Sequence, residues 1–216
     1  MISIDNTGAI SKRFIFVNID TQKDFMDAGG KLYVTNAESI KPTLASITQY
    51  AKENNTQVIN TSDWHQEDSI ELSQTPDFKT TFPPHCVMFS DGAMLIPETK
   101  PSNGFDLIIP WQKQLDPLEL NLSAKNILIL KDKFDVFAGN QNTDAFFKAL
   151  NPEVAYVYGV ASDICVSFAV SGLLERGIEV NLIEDAIMHL NSESYQNLLS
   201  TWKNKYPETF KLTKFN

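Results

Sequence analysis

VAYVYGVASDICVSFAVSGLLER, running from Val154 to Arg176, carries a single charge, Asp163, between Val154 and Leu174. Its length and apolarity are near what a membrane span of about 20 residues needs. Gly159 and the mid-stretch carboxylate divide it, however, and the two parts have different character. Val154-Ala-Tyr-Val-Tyr158 is short, aromatic and β-branched, the composition of a buried strand. From Asp163 to Arg176 the apolar residues fall at three- and four-residue spacing, the pattern of a buried helix. A strand, a tight turn and a helix are therefore expected here, with no crossing of a membrane.

The same alternation extends outward in both directions. Arg13-Phe-Ile-Phe-Val-Asn-Ile-Asp20, Gln57-Val-Ile-Asn-Thr61, Asn126-Ile-Leu-Ile-Leu130 and Glu179-Val-Asn-Leu-Ile183 are continuous apolar runs of strand length, as expected for strands covered on both faces. Helical spacing lies between them at 36–54 and 143–150, and again at the C-terminal end over 192–205, where a surface helix is predicted. Strand alternating with helix specifies an α/β protein: a three-layer α/β/α, Rossmann-type arrangement with a mostly parallel central sheet. Residues 76–120 interrupt the rhythm with Pro76, Pro83, Pro84, Pro97, Pro101, Pro110 and Pro117 and show no sustained period. Irregular segments of that length are usually functional or mobile. No repeat or composition shift marks a boundary, so residues 1–216 are expected to form a single domain. The tail beyond Pro207 has no assignable pattern.

Composition narrows the function classes. Hydrophobic residues make up 43% of the 216-residue chain and charged residues 21%, which excludes disordered and fibrous classes. With 18 Lys+Arg against 27 Asp+Glu the formal charge is −9, and such a chain repels nucleic-acid phosphates overall. A small-molecule partner is expected instead, with neither nucleic acid nor membrane. Two cysteines, Cys86 and Cys165, do not make a disulfide framework, and the N-terminus has no basic-then-apolar leader, so a cytoplasmic location is expected.

Ligands of open parallel sheets bind beyond the carboxyl ends of the strands. Asp20 closes the first strand, Asp63-Trp64-His65 follows the second, Lys131 ends the third, and Asp163 and Cys165 follow the fourth. In an extended segment Asp63 and His65 point to one side. With His85 they make a nitrogen and oxygen donor set of the kind that holds Zn, Fe or Mn with positions left open. Taken alone, the Asp-x-His pair reads first as a solvated loop with a capping Asp, and only His85 brings the metal reading level with it. His189 has no partner in sequence and is taken as a surface or core histidine. Cys165 is expected in the first turn of a helix, where the dipole lowers a thiol's pKa and backbone N–H groups face a developing oxyanion. A buried inert cysteine is the plainer alternative, and that reading is assigned to Cys86. Ser162 or Asp163 is expected to cap the helix. Lys131 on its own reads as a snorkelling surface lysine.

Together these residues carry a resemblance. Asp20-Thr-Gln-Lys-Asp24-Phe25 resembles the D-x-Q-x-D-F opening of the isochorismatase-like cysteine hydrolases. Gly159-Val-Ala-Ser-Asp-Ile-Cys165-Val resembles their G-V-A-T-D-x-C-V nucleophile turn, and Lys131-Asp-Lys-Phe-Asp-Val-Phe137 their lysine segment K-x-R-Y-S-A-F. Asp63-Trp-His65 followed by Phe82-Pro-Pro-His85-Cys86-Val87 is similar to the metal motifs of the nicotinamidase branch, which isochorismatases and carbamoyl-amide hydrolases generally lack. The sequence departs from that branch in having Phe82 for Trp, in a short lysine segment that makes Lys133 a rival to Lys131, and in an apparent insertion at 101–120. A cover for the pocket and a subunit contact are both open readings of that insertion.

The resemblance implies a hydrolase of linear amide C–N bonds, converting nicotinamide or a similar heteroaromatic amide to the acid and ammonia through a thioester. It implies Cys165 as nucleophile, Asp20 as base and Lys131 as the stabilising cation. The N–H groups of Ala161 and Cys165 would hold the oxyanion, with a cis peptide between Val160 and Ala161. Phe25 and Phe82 would flank the ring. One divalent ion, Zn before Fe or Mn, would sit on Asp63, His65 and His85, with Glu71 ahead of Glu67 or Asp68 as a possible fourth ligand, and a homo-oligomer is expected. Two rivals stand beside it: a metal-independent hydrolase of a carbamoyl amide or of isochorismate, and a non-catalytic binding protein on the same fold.

Overall fold

The computed structural model describes residues 12–215. The polar start of the chain and Asn216 lie outside the described residues. Seven strands form one sheet: β1 (Phe14–Ile19), β2 (Val58–Asp63), β3 (Leu107–Ile109), β4 (Asn126–Lys131), β5 (Val154–Val160), β6 (Glu179–Met188) and β7 (Phe210–Thr213). Their order is β3-β4-β2-β1-β5-β6-β7, and every neighbouring pair is parallel. The helices are α1 (Lys23–Met26), α2 (Lys41–Glu53), α3 (Val136–Gly139), α4 (Thr143–Leu150), α5 (Cys165–Glu175) and α6 (Ser192–Lys205).

Alternation along β1 shows how the layers divide. Ile15, Val17 and Ile19 join the core under α4, α5 and α6, whereas Phe16 faces the opposite layer with Leu44 and Ile47 of α2. On α5 the buried residues Val166, Ala169, Val170, Leu173 and Leu174 make the apolar stripe that the spacing predicts. Each of the Val and Leu side chains contributes about 1.5–3 kcal/mol by leaving water. The stretch from Val154 is thus β5 and α5, and among the described residues no helix is long and apolar enough to cross a membrane.

Three details differ from expectation. The predicted helix at 36–54 is a short 3₁₀ turn, Ala37–Ile40, leading into α2, because Pro42 is suited only to the first turn of an α-helix. The irregular region contains β3, and the unassigned tail contains β7, each an outermost strand of the sheet. Neither Ser162 nor Asp163 caps α5: Ile164 is the N-cap residue, and no side chain caps the helix. The Asp163 carboxylate instead accepts the N–H groups of Leu190 and Asn191, 2.8 Å each, tying the end of β6 to the turn after β5.

Strand order reverses around β1, which has β2 on one side and β5 on the other. A crevice opens at the carboxyl ends of strands where order reverses. Asp20, Asp63, Lys131 and the turn 159–165 all stand at that end.

Candidate active site and metal centre

Gly159, the penultimate residue of β5, has φ +119°, and a Cβ there would stand 2.0 Å from the Ile19 carbonyl oxygen. Glycine is therefore required for β5 to close on β1 at this point. The peptide between Val160 and Ala161 is cis. Cys165 then opens α5, and neither its N–H nor that of Ala161 donates to a backbone acceptor among the described residues. Two free donors flank one thiol.

Lys131 is fully buried and reaches three groups. Nζ contacts Asp63 Oδ1, lies 2.8 Å from Asp20 Oδ2 and donates to Cys165 Sγ at 3.9 Å. Asp20 Oδ1 accepts the Thr61 hydroxyl at 2.6 Å. The contact with Asp20 Oδ2 is a salt bridge without hydrogen-bond alignment, so that buried oxygen keeps a lone pair for another proton. Ligand atoms of Asp20, Asp63 and Cys165 lie within 4.8 Å of one another. Lys133 is half-buried and pairs with no carboxylate among the described residues.

Charge follows from this packing. Burial alone would discharge Lys131, but Asp20 and Asp63 outweigh it and hold the ammonium well above the usual lysine value. Burial also pushes Asp63 up, and here Lys131 and His65 win, keeping it well below the usual carboxylate range. For Asp20 burial prevails over Lys131, and its carboxyl is raised. Burial raises the Cys165 thiol well above its ordinary value despite the ammonium beside it. The resting site therefore holds a thiol and needs a base.

Asp63 divides its oxygens. Oδ1 takes Lys131, and Oδ2 faces His85 Nε2 at 3.6 Å and His65 Nε2 at 3.7 Å. His85 Nδ1 lies 2.7 Å from the Pro83 carbonyl, which can only accept, so Nδ1 carries a proton and Nε2 is the nitrogen whose lone pair can face a metal. His65 Nδ1 meets Ser69 Oγ at 3.1 Å, and its buried Nε2 has no hydrogen-bond partner. Imidazoles anchored through one nitrogen and aimed with the other are the usual support of a metal ligand pair. Two carboxylates against one ammonium also leave room for positive charge. The residues present fit a divalent cation.

Glu71 lines the same pocket but stands outside the three-residue cluster. Its carboxylate accepts the Phe134 N–H at 3.0 Å, and burial, with Asp63 adding to it, raises its pKa to about 8. Glu67 and Asp68 are exposed. Phe25 and Phe82, each 6% exposed, line the pocket with ring centres 5.3 and 6.3 Å from that of His85. Leu32, Val34, Phe134, Ile164 and Leu190 add to its apolar wall, and among the described residues none of 101–120 lines it. Cys86 is buried with its thiol raised well above normal, chiefly by burial. His189 stacks on Tyr195.

Residues 14–209 match the isochorismatase domain. The chain belongs to the isochorismatase family. Among family relatives, the Escherichia coli K12 nicotinamidase is 27% identical over 190 residues, covering 80% of this chain and 82% of that protein. The nicotinamidase/pyrazinamidase of Mycobacterium tuberculosis H37Rv is 23% identical over 188 residues, covering 82% and 87%. The crystal structure of Pyrococcus horikoshii pyrazinamidase in complex with zinc shares the fold, with a TM-score of 0.71 at 23% identity over 94% of this chain and 99% of that one.

Sequence reading passed over two supports for the site. Gln22 donates to the carbonyls of Asp63 and Ala93 and accepts the Asp63 N–H at 2.7 Å, which fixes Asp63 at the end of β2. Asp24 accepts the N–H groups of Cys86 and Lys31, and a Cβ at Gly92 would meet its carboxylate at 2.3 Å. Both lie inside the quoted D-x-Q-x-D-F stretch, so the signal was present without its mechanism.

Proposed function

We propose that the chain is a metal-dependent cysteine amidohydrolase that converts nicotinamide, or a close heteroaromatic amide, to the acid and ammonia. The convergence of Asp20, Lys131 and Cys165 beside the Asp63, His65 and His85 cluster carries the reading. The nicotinamidase relatives and the apolar, aromatic wall around Cys165 support it.

Asp20 Oδ2 takes the thiol proton, and Cys165 Sγ attacks the amide carbonyl carbon. Lys131 offsets the negative charge on the thiolate and carboxylate. The oxyanion forms against the N–H groups of Ala161 and Cys165, a type of contact worth about 3–4 kcal/mol per donor in comparable sites. Asp20 returns its proton to the leaving nitrogen, and the C–N bond breaks to release ammonia and leave a thioester. A water then loses a proton to Asp20 and attacks the thioester carbon. The acid departs, and Cys165 recovers its thiol proton. Asp63, His65 and His85 would hold the divalent ion, zinc before iron or manganese; Glu71, outside their cluster, would have to leave the Phe134 N–H to add a fourth donor. When bound, that ion would supply a Lewis acid beside the substrate pocket. Phe25 and Phe82 flank the ring.

On this reading the protein is a single-domain, cytoplasmic homo-oligomer with a small amide as its partner. Ammonia release from nicotinamide, pyrazinamide, carbamoyl amides and isochorismate tests the substrate class. Turnover confined to the two ring amides is expected. Turnover of isochorismate or a carbamoyl amide alone would reject it.

A further inference from the structure

A second cleft, of about 340 Å³, lies away from the catalytic pocket. Its walls are the C-terminal half of α2, the turn at 55–56, the first residues of β2 and β4, and the loop 99–103. β2 thus contributes Val58 to this cleft and Asp63 to the active site, at its opposite ends.

The charge of the lining is unlike that of the chain. Lys52, Lys100 and Lys125 line it, and no Asp or Glu does, although the chain as a whole carries −9. All three lysines are exposed, and among the described residues none pairs with a carboxylate. Three acids stand close by in sequence, Glu53, Glu98 and Asp106, and two of them bond to residues of the lining. Glu53 takes the Gln49 amide at 2.5 Å, and Asp106 takes the backbone N–H groups of Lys125 and Asn126 at 2.9 Å. The C-terminus of α2 would repel an anion through its open carbonyls. Those of Tyr50, Ala51 and Lys52 already accept the N–H groups of Asn54, Thr56 and Asn55. Asn55, Thr56, Ser102 and Asn103 add neutral hydrogen-bonding groups beside the lysines.

We propose that this cleft binds a phosphomonoester of a sugar or nucleoside. Three ammonium groups suit a dianion with several acceptor oxygens better than a single carboxylate. The amide and hydroxyl side chains suit the hydroxyls of a sugar, and the volume is that of a small-molecule site. The site is independent of the catalytic reading, since it shares no residue with the active site.

Calorimetric titration of the full chain with ribose 5-phosphate, AMP, ribose and inorganic phosphate tests this. At least one ester should bind with a Kd below about 1 mM, and more weakly as salt rises. Inorganic phosphate should bind more weakly than that ester, and ribose should not register. The triple variant Lys52→Ala/Lys100→Ala/Lys125→Ala, which removes only exposed side chains, should weaken ester binding at least about tenfold. The Cys165→Ala variant should bind as wild type does, which separates this site from the active site. Failure of both esters to bind at about 10 mM, equal binding of ribose, or an unaffected triple variant would overturn the proposal. Equal binding of inorganic phosphate would overturn the ester assignment.

Discussion

Asp63 and Lys131 are register partners at the ends of β2 and β4, and their side chains close the pairing with a buried ion pair. The same carboxylate faces His65 and His85 through its other oxygen. One aspartate therefore joins the proposed nucleophile's cation to the proposed metal site.

Cys165→Ala should lose several decades of turnover, the usual consequence of removing a nucleophile, while the fold persists. Cys86→Ala should leave activity near wild type, since its thiol faces the Gly92 carbonyl and takes no part in the Lys131 cluster. Steady-state kinetics with circular dichroism on both variants checks the pair.

His65→Ala and His85→Ala should each abolish stoichiometric metal in protein prepared without chelator. Ser69→Ala, which removes only the partner of His65 Nδ1, should cost about tenfold in metal affinity. Elemental analysis reads the first and competition with a chelator the second. A metal-free wild type with full activity would favour a metal-independent hydrolase.

The strand ends were legible because their chemistry is local: Asp20 and Lys131 directly follow apolar runs, and Asp63 and Cys165 come within a few polar or turn residues of one. What was not legible depends on distant partners. Leu107–Ile109 is too short to register as a strand until β4 pairs with it, and Phe210–Thr213 depends in the same way on β6. Asp163 reads as a helix cap in sequence because Leu190 and Asn191, which claim its carboxylate, lie on the far side of β6. The lysine cleft is assembled from three separate segments, none of them unusual alone.

Phe82→Ala should raise KM for nicotinamide about tenfold with kcat less affected, as one aromatic wall is lost. Phe82 lines the pocket and is absent from both main core clusters, so melting should change little. Phe146→Ala, in the core under the sheet, should cost about 3–5 kcal/mol instead. A large stability loss at Phe82 with unaltered KM would return that ring to the core.

The acid limb of kcat/KM should reflect Asp20. Burial raises its carboxyl above 3.8 against the pull of Lys131, and only the ionised form can accept the thiol proton. Activity should therefore rise with pH through an apparent pKa above the ordinary carboxylate value, and Asp20→Asn should be inactive throughout. A limb at or below 3.8 would remove Asp20 from the role of base.

The most direct measurement is interception of the thioester with hydroxylamine during nicotinamide turnover. An acyl group on Cys165 partitions between water and the added nucleophile, so nicotinohydroxamic acid should form at the expense of nicotinic acid, with ammonia release undiminished. Ammonia and nicotinic acid released at the wild-type ratio, with no hydroxamate at any hydroxylamine concentration, would mean that water attacks the amide directly and would contradict a covalent role for Cys165.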